Sequence, residues 1–183
     1  AIWLNPEMLS PYAFYQFWLQ VDDDDVVRFL KVFTFLDRAE IERLETAVAQ
    51  NPKAREAQRA LAREVTRWVH GEAALAQAEA ATAALWGRGD LTGIDEATMA
   101  AATANLPSSE LVVGESTIVD LLVGAGLEKG RGAARRTIAA GGAYLNNAKV
   151  TDEEAVVTES DLLAGGVVLV RKGRRTLSVA RSK

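Results

Sequence analysis

Apolar residues recur at helical spacing through the first 86 residues, then lose that period, and return after residue 115 as short runs between turn formers. Within 183 residues, such a break predicts two small domains. The expected order is an α-helical bundle over 1–86, a linker over 87–115 with one possible short helix at 94–104, and a small α+β domain over 116–183. The second domain is predicted to carry two short helices and a small, mostly antiparallel sheet. Charge divides along the same line. Residues 1–115 hold 10 Lys and Arg against 18 Asp and Glu, a net of −8. Residues 116–183 hold 11 against 7, a net of +4, which points to a polyanionic partner for the second module.

In the first half, Ser10-Pro11 is a cap followed by proline at the first helical position. Phe14, Phe17, Trp18 and Val21 follow on one predicted face. The run Asp22–Asp25 precedes "VVRFLKVFTFL", apolar nearly all round and therefore expected as a buried central helix. Asp37 with Glu40 makes a capping-box pattern ahead of Ile41, Leu44 and Val48. Asn51-Pro52 opens the next helix, with Leu61, Val65 and Trp68 as its stripe and Arg55, Arg59, Arg63 and Arg67 on its polar face. With Glu56 and Glu64 alongside, that ladder reads as a solvated face. His70-Gly71 ends or kinks this helix, and an Ala-rich helix follows, closing at Gly87.

In the second half, Thr117 caps "IVDLLVGAG", with Asp120 in the first turn. "RGAARRTIAAGG" is a second short helix, stopped by Gly141-Gly142. "AYLNNAKV" is a hairpin, because asparagine tolerates the positive φ of a tight turn. "ESDLLAGG" is a single capped helical turn, and "VVLVRKGRRTLSVA" a further hairpin.

The absence of cysteine excludes disulfides, thiolate metal sites and cysteine nucleophiles. No run is long and apolar enough to cross a bilayer, no signal-peptide pattern opens the chain, and the cytoplasm is the expected location. The opening "AIWLNPEMLSPY" reads as mid-chain, so a fragment or processed chain is expected. His70, the single histidine, reads as a helix-end or core residue. "GAGLEKG" has the wrong spacing for a dinucleotide fingerprint, and no catalytic, metal-binding or phosphate-loop motif occurs.

Residues 131–140 stand apart. Wound at about 100° per residue from Arg131, the segment puts Ala134 and Ile138 near 300° and 340°, a narrow apolar stripe. Arg131, Arg135 and Arg136 fall near 0°, 40° and 140°, with Gly132 and Ala139 between them at about 100° and 80°. The result is a low surface bordered by guanidinium groups, suited to a sugar-phosphate backbone. Lys129, Asn146 and Lys149 lie beside it in sequence and complete the candidate RNA-binding set. Asp22 and Asp23 are candidates of another kind, since a carboxylate accepts from the Watson–Crick N–H donors of an unpaired guanine.

"STIVDLLVGAGLEKGRGAARRTIAAGGAYLNNAKV" resembles the RNA-binding module named after the fourth protein of the small ribosomal subunit. Asn147 stands where that module more often has glycine, and it preserves the positive-φ role. "SPYAFYQFW", "VVRFLKVFTFL" and "REVTRWVHG" resemble bacterial tyrosyl-tRNA synthetases in the stretch after the mobile signature loop. Apart from residues 88–112, the likeness runs over essentially the whole chain.

The resemblance implies the helical anticodon-binding domain and C-terminal RNA-binding domain of a tyrosine–tRNA ligase, with tRNA(Tyr) as partner. The catalytic domain, its ATP with Mg and the homodimer contact would lie in the part preceding Ala1. It implies no catalytic residue, cofactor or metal ligand in this chain. Arg131, Arg135, Arg136 and Lys149 match the module's RNA-facing pattern, and Asp22 and Asp23 fall in the domain implied to approach the anticodon. Two other readings stay open from the residues: a ribosome- or rRNA-associated factor, and a helical protein-interaction bundle with its aromatic stripes as partner surface.

Overall fold

The structure, a computed structural model, describes residues 2–86 and 89–182. It divides into two compact units, Ala1–Glu79 and Ala80–Lys183.

The first unit is helical. Ser10 Oγ accepts from Ala13 N at 3.2 Å and starts α1, Pro11–Leu19. Helix α2 spans Asp23–Phe33 and α3 spans Arg38–Gln50. A short 3₁₀ turn, Pro52–Ala54, then leads into α4, Glu56–Leu85. Phe14, Trp18, Leu30, Leu44, Leu61, Val65 and Leu75 build the core. From the start of α4, Arg55 Nη2 donates to the carbonyls of Leu19 and Val21 at 2.9 and 3.0 Å, fixing the α1–α2 connection. Gly71 kinks α4 with φ +86°, a backbone that side chains rarely adopt.

Several expectations change here. Helix α2 is not a buried central helix: Val26 and Leu30 are buried, whereas Val32 and Phe33 are exposed and Phe35 lies beyond its end. Phe17 and Trp68 are exposed, and Tyr15, Ala57 and Ala62 take core places instead. Apolar periodicity marks which residues avoid water, not which neighbour covers them. The Asp37 capping box is half formed. Asp37 Oδ1 accepts from Glu40 N at 2.8 Å, while the Glu40 carboxylate pairs with Arg43. The helix after Asn51-Pro52 starts at Glu56, after the 3₁₀ turn. The Ala-rich helix expected after His70-Gly71 is the second half of the kinked α4, and its expected close at Gly87 lies outside the described residues.

The second unit opens with the last turn of α4 and continues through α5, Glu96–Thr103, and β1, Ser108–Leu111. Then come α6, Ile118–Gly124, and α7, Arg131–Ala139. The strands β2, Ala143–Leu145, and β3, Ala148–Lys149, form a hairpin, as do β4, Val167–Lys172, and β5, Thr176–Ser182. The sheet order is β1-β5-β4-β2-β3, with β1 parallel to β5 and the other pairs antiparallel. Helices α6 and α7 bury Ile118, Leu121, Leu122, Ala134 and Ile138 with Leu111, Val168, Val170 and Ala180.

The segment expected as a linker is therefore structured. Helix α5 lies within the predicted 94–104, and β1 is an edge strand in register with β5, Ser108 opposite Val179. Arg181 Nη2 reaches the carbonyl and hydroxyl of Thr103 at 3.3 and 3.2 Å, fastening α5 to β5. The division between the units falls within α4, upstream of the expected linker over 87–115. Ala81 and Ala84 are buried on the second unit's side of that division.

Candidate nucleic-acid interface

Helix α7 owes its seat to its two ends and to one partly buried carboxylate. Glu128 Oε1 accepts from the Thr137 hydroxyl in the middle of α7 and from Lys172 Nζ of β4, the latter at 3.0 Å. The Thr137 hydroxyl, then Lys172, hold the Glu128 carboxyl below the usual carboxylate range. Lys172 Nζ also donates to the Leu127 carbonyl at 3.1 Å. At the far end Gly141 turns the chain with φ +70°, and Gly142 O accepts from Gly173 N of the β4–β5 turn at 2.7 Å.

Each arginine of α7 has a different environment. Arg131 Nη1 donates to Asp120 Oδ1 at 2.5 Å. Asp120 also completes the predicted cap of α6, with Thr117 Oγ1 donating to Asp120 Oδ2 and accepting from Asp120 N at 3.2 Å. The Thr117 hydroxyl, with Arg131 beyond it, keeps the Asp120 carboxyl below the usual range. Arg135 lies 3.5 Å from Glu153 and 3.3 Å from Glu154, both exposed. Arg136 is exposed and has no ion pair among the described residues.

Two glycines define how close a ligand can come. A methyl placed on Gly132 would meet only Arg136 Nη1, at 3.7 Å, so the surface there is open. A methyl on Gly141 would lie 2.3 Å from Lys149 Nζ and 2.4 Å from its Cε. Lys149 thus rests over the glycine that ends α7, which brings its ammonium to the same helix as Arg136. Lys129 is exposed just before α7.

The structure does not leave Asn146 open to a ligand. It occupies the two-residue turn with Asn147, at φ +47° and +67°, as the hairpin reading required. Its amide is spent within the fold: Nδ2 donates to the Asp161 carbonyl at 2.6 Å, and Oδ1 accepts from Leu169 N at 2.9 Å. Asp23 is likewise engaged, accepting from Gln58 Nε2 at 2.6 Å, whereas Asp22 is exposed and makes no side-chain cap. The arginine ladder follows its solvated-face reading in part: Arg63 pairs with Glu79 and Arg67 with Glu64 and Glu72. Arg55 departs from it through its two carbonyl contacts.

Arg174 and Arg175 were not among the residues singled out from the sequence. They are exposed in the β4–β5 turn, whose Gly173 bonds to Gly142. The signal was the run "RKGRR", four cations in residues 171–175.

Two family models match the chain in succession. "tRNA synthetases class I (W and Y)" matches residues 1–87, and "Tyrosine–tRNA ligase SYY-like C-terminal domain" matches 98–180. The tyrosine–tRNA ligase of Streptomyces coelicolor is 49% identical over 178 residues, covering 97% of this chain and 42% of that protein. The chain belongs to the tyrosyl-tRNA synthetase family. The Corynebacterium efficiens tyrosine–tRNA ligase is 48% identical over 184 residues, covering 100% of this chain and 44% of its own length. A truncated mitochondrial tyrosyl-tRNA synthetase from Aspergillus nidulans matches 43% of this chain and 23% of its own, with 41% identity and a TM-score of 0.41. The chain thus spans less than half the length of the curated synthetases it resembles. The synthetase C-terminal model contains α7, Lys149 and the β4–β5 turn, so the whole basic cluster falls inside it.

Proposed function

We propose that this chain is the tRNA-binding portion of a tyrosine–tRNA ligase. The observation that carries the reading is the basic face of α7, where Arg136 flanks the open backbone at Gly132 and Lys149 rests over Gly141. Guanidinium and ammonium groups around a surface without side-chain bulk suit a sugar-phosphate backbone, which can approach to charge-assisted distance. Arg131 and Arg135 are partly neutralised by carboxylates, so Arg136, Lys149, Lys129, Arg174 and Arg175 supply most of the attraction. Lys172 and Thr137 act through Glu128 to hold the helix in place.

The helical unit approaches the anticodon in this reading, with the exposed Asp22 as the acceptor for a base N–H and Asp23 positioning the start of α2. Amino-acid activation belongs to the part of the enzyme outside this chain, together with ATP and Mg. Among the described residues, no three carboxylates or histidines stand close enough together to hold a metal ion. Homodimerisation is likewise assigned to the outside portion, and the cytoplasm is the proposed location. Among the described residues no helix is long and apolar enough to cross a membrane.

Competition binding tests this reading. The chain is titrated with labelled tRNA(Tyr) and challenged with other tRNAs and with rRNA fragments of equal length. Preference for tRNA(Tyr) of about tenfold or more over both competitors is expected. Equal competition by rRNA would favour a ribosome-associated factor instead.

A further inference from the structure

The loop after β3 carries two carboxylates to the basic face of α7. Residues 151–155 read "TDEEA", and buried valines fasten the loop at both ends. Val150 N donates to the Ala143 carbonyl at 3.0 Å, and Val157 N to that of Ser116 at 3.0 Å. Asp152 Oδ1 accepts from Glu154 N at 2.9 Å and shapes the turn between them. Both glutamates then meet one cation. Glu153 Oε2 lies 3.5 Å from Arg135 Nε, and Glu154 Oε1 accepts from Arg135 Nη2 at 3.3 Å. Nε and Nη2 share the guanidinium edge that a phosphate uses for a two-pronged contact. Neither glutamate side chain has another partner among the described residues. Asp120 differs, since it holds Arg131 at 2.5 Å and also caps α6. The Arg135 contacts are long and solvent-exposed, and such pairs add little to stability. On a face that meets a polyanion they count for more, because two carboxylates on one guanidinium leave a net negative charge there.

We propose that Glu153 and Glu154 stand in for a phosphate on Arg135 and set the selectivity of the α7 face. The inference rests on the reading of that face as an RNA-binding surface. In the free protein the two carboxylates occupy the edge of Arg135. They can leave it, since their side chains are 49% and 68% exposed and have only water to turn into. An RNA that lies against Arg136 and Lys149 and also brings a phosphate to Arg135 displaces them and gains a charge-assisted contact. An RNA held by Arg136 and Lys149 alone leaves the carboxylates in place and meets their repulsion. The same two groups therefore weaken every RNA, and weaken least the one whose backbone fits.

The test is a mutant cycle on the 183-residue chain, with labelled tRNA(Tyr) and an rRNA fragment of equal length as ligands. Glu153→Gln/Glu154→Gln keeps the shape of both side chains and removes their charge. It is expected to raise affinity for the rRNA fragment about fivefold and for tRNA(Tyr) about twofold, so that the preference for tRNA(Tyr) falls. Arg135→Ala in the wild-type background should weaken tRNA(Tyr) about threefold and leave the rRNA fragment unchanged, since only the fitting RNA reaches that arginine. With both glutamates replaced, Arg135→Ala should weaken both RNAs. Equal gains for the two RNAs, with Arg135→Ala costing nothing in either background, would reduce the effect to charge removal and overturn the proposal. Unchanged affinities in the glutamine variant would also overturn it. In that case Arg136→Ala and Lys149→Ala separate the two failures: if they weaken binding, this proposal alone falls, and if they do not, the RNA-binding reading of α7 falls with it.

Discussion

Arg171 of β4 donates from Nη2 to Asn147 Oδ1 at 2.9 Å, and the two side chains grip adjacent carbonyls at the end of α4. Arg171 Nη2 also reaches the Leu85 carbonyl at 2.9 Å, and Asn147 Nδ2 reaches that of Ala84 at the same distance. The last carbonyls of a helix lack intrahelical donors and carry its negative dipole end, so a guanidinium and an amide are well matched to them. Arg171 is only 5% exposed. Replacing it with methionine leaves Asn147 Oδ1 and the Leu85 carbonyl without that donor. Urea denaturation of Arg171→Met is expected to show a loss of about 2–4 kcal/mol. Asn147→Gly keeps the φ of +67° available and loses only the amide, so about 1–2 kcal/mol is expected.

The two glycines of the basic face respond in opposite directions. Gly132→Ala replaces glycine inside a helix where the methyl meets nothing closer than 3.7 Å, and calorimetry should show a gain of about 0.5–1 kcal/mol. Gly141→Ala forces a side chain into φ +70° and against Lys149, so a loss of about 1–3 kcal/mol is expected. If RNA lies on this face, both substitutions weaken its binding, and Gly132→Ala does so in a more stable protein.

Acid should release α7 from its seat. Glu128 and Asp120 both have folded-state pKa values below their ordinary ones. Their contribution to stability is therefore full above the unfolded carboxylate pKa and is lost as pH falls through the folded values. Melting curves of Glu128→Gln and wild type should differ at pH 7 and converge as pH drops below about 4.

His70 gives the helical unit a separate pH dependence. Burial lowers its pKa, and its ring lies edge-on to Phe14 with centroids 4.7 Å apart. For a base with a depressed folded pKa, the unfolded chain takes the proton first. Stability should fall as pH drops below about 6.5. His70→Gln should remove the slope between pH 7 and 5 in a denaturation series.

Local chemistry explains which elements the sequence made legible. The caps at Ser10 and Thr117, the stop at Gly141 and the Asn146-Asn147 turn each depend on residues within four positions, and all four are present. Strand β1 was hidden because its partner β5 lies some 70 residues downstream and pairs with it in parallel. The basic face of α7 followed from winding one helix. That Asn146 is consumed by Asp161 and Leu169, and that Arg174 and Arg175 join the cluster, depended on sheet pairings that periodicity does not encode. Phe35 was misjudged for a related reason: an exposed apolar residue has the same pattern as a covered one.

The central claim is that the α7 face holds RNA through its phosphates, and the salt dependence of tRNA(Tyr) binding tests it most directly. Affinity is measured across a series of salt concentrations for the wild type and for Arg136→Ala, Lys149→Ala and the double substitution. Each lost phosphate contact should reduce the slope of log affinity against log salt by about 0.7–0.9, with the two effects adding. Wild-type slope and affinity retained in the double variant would contradict it.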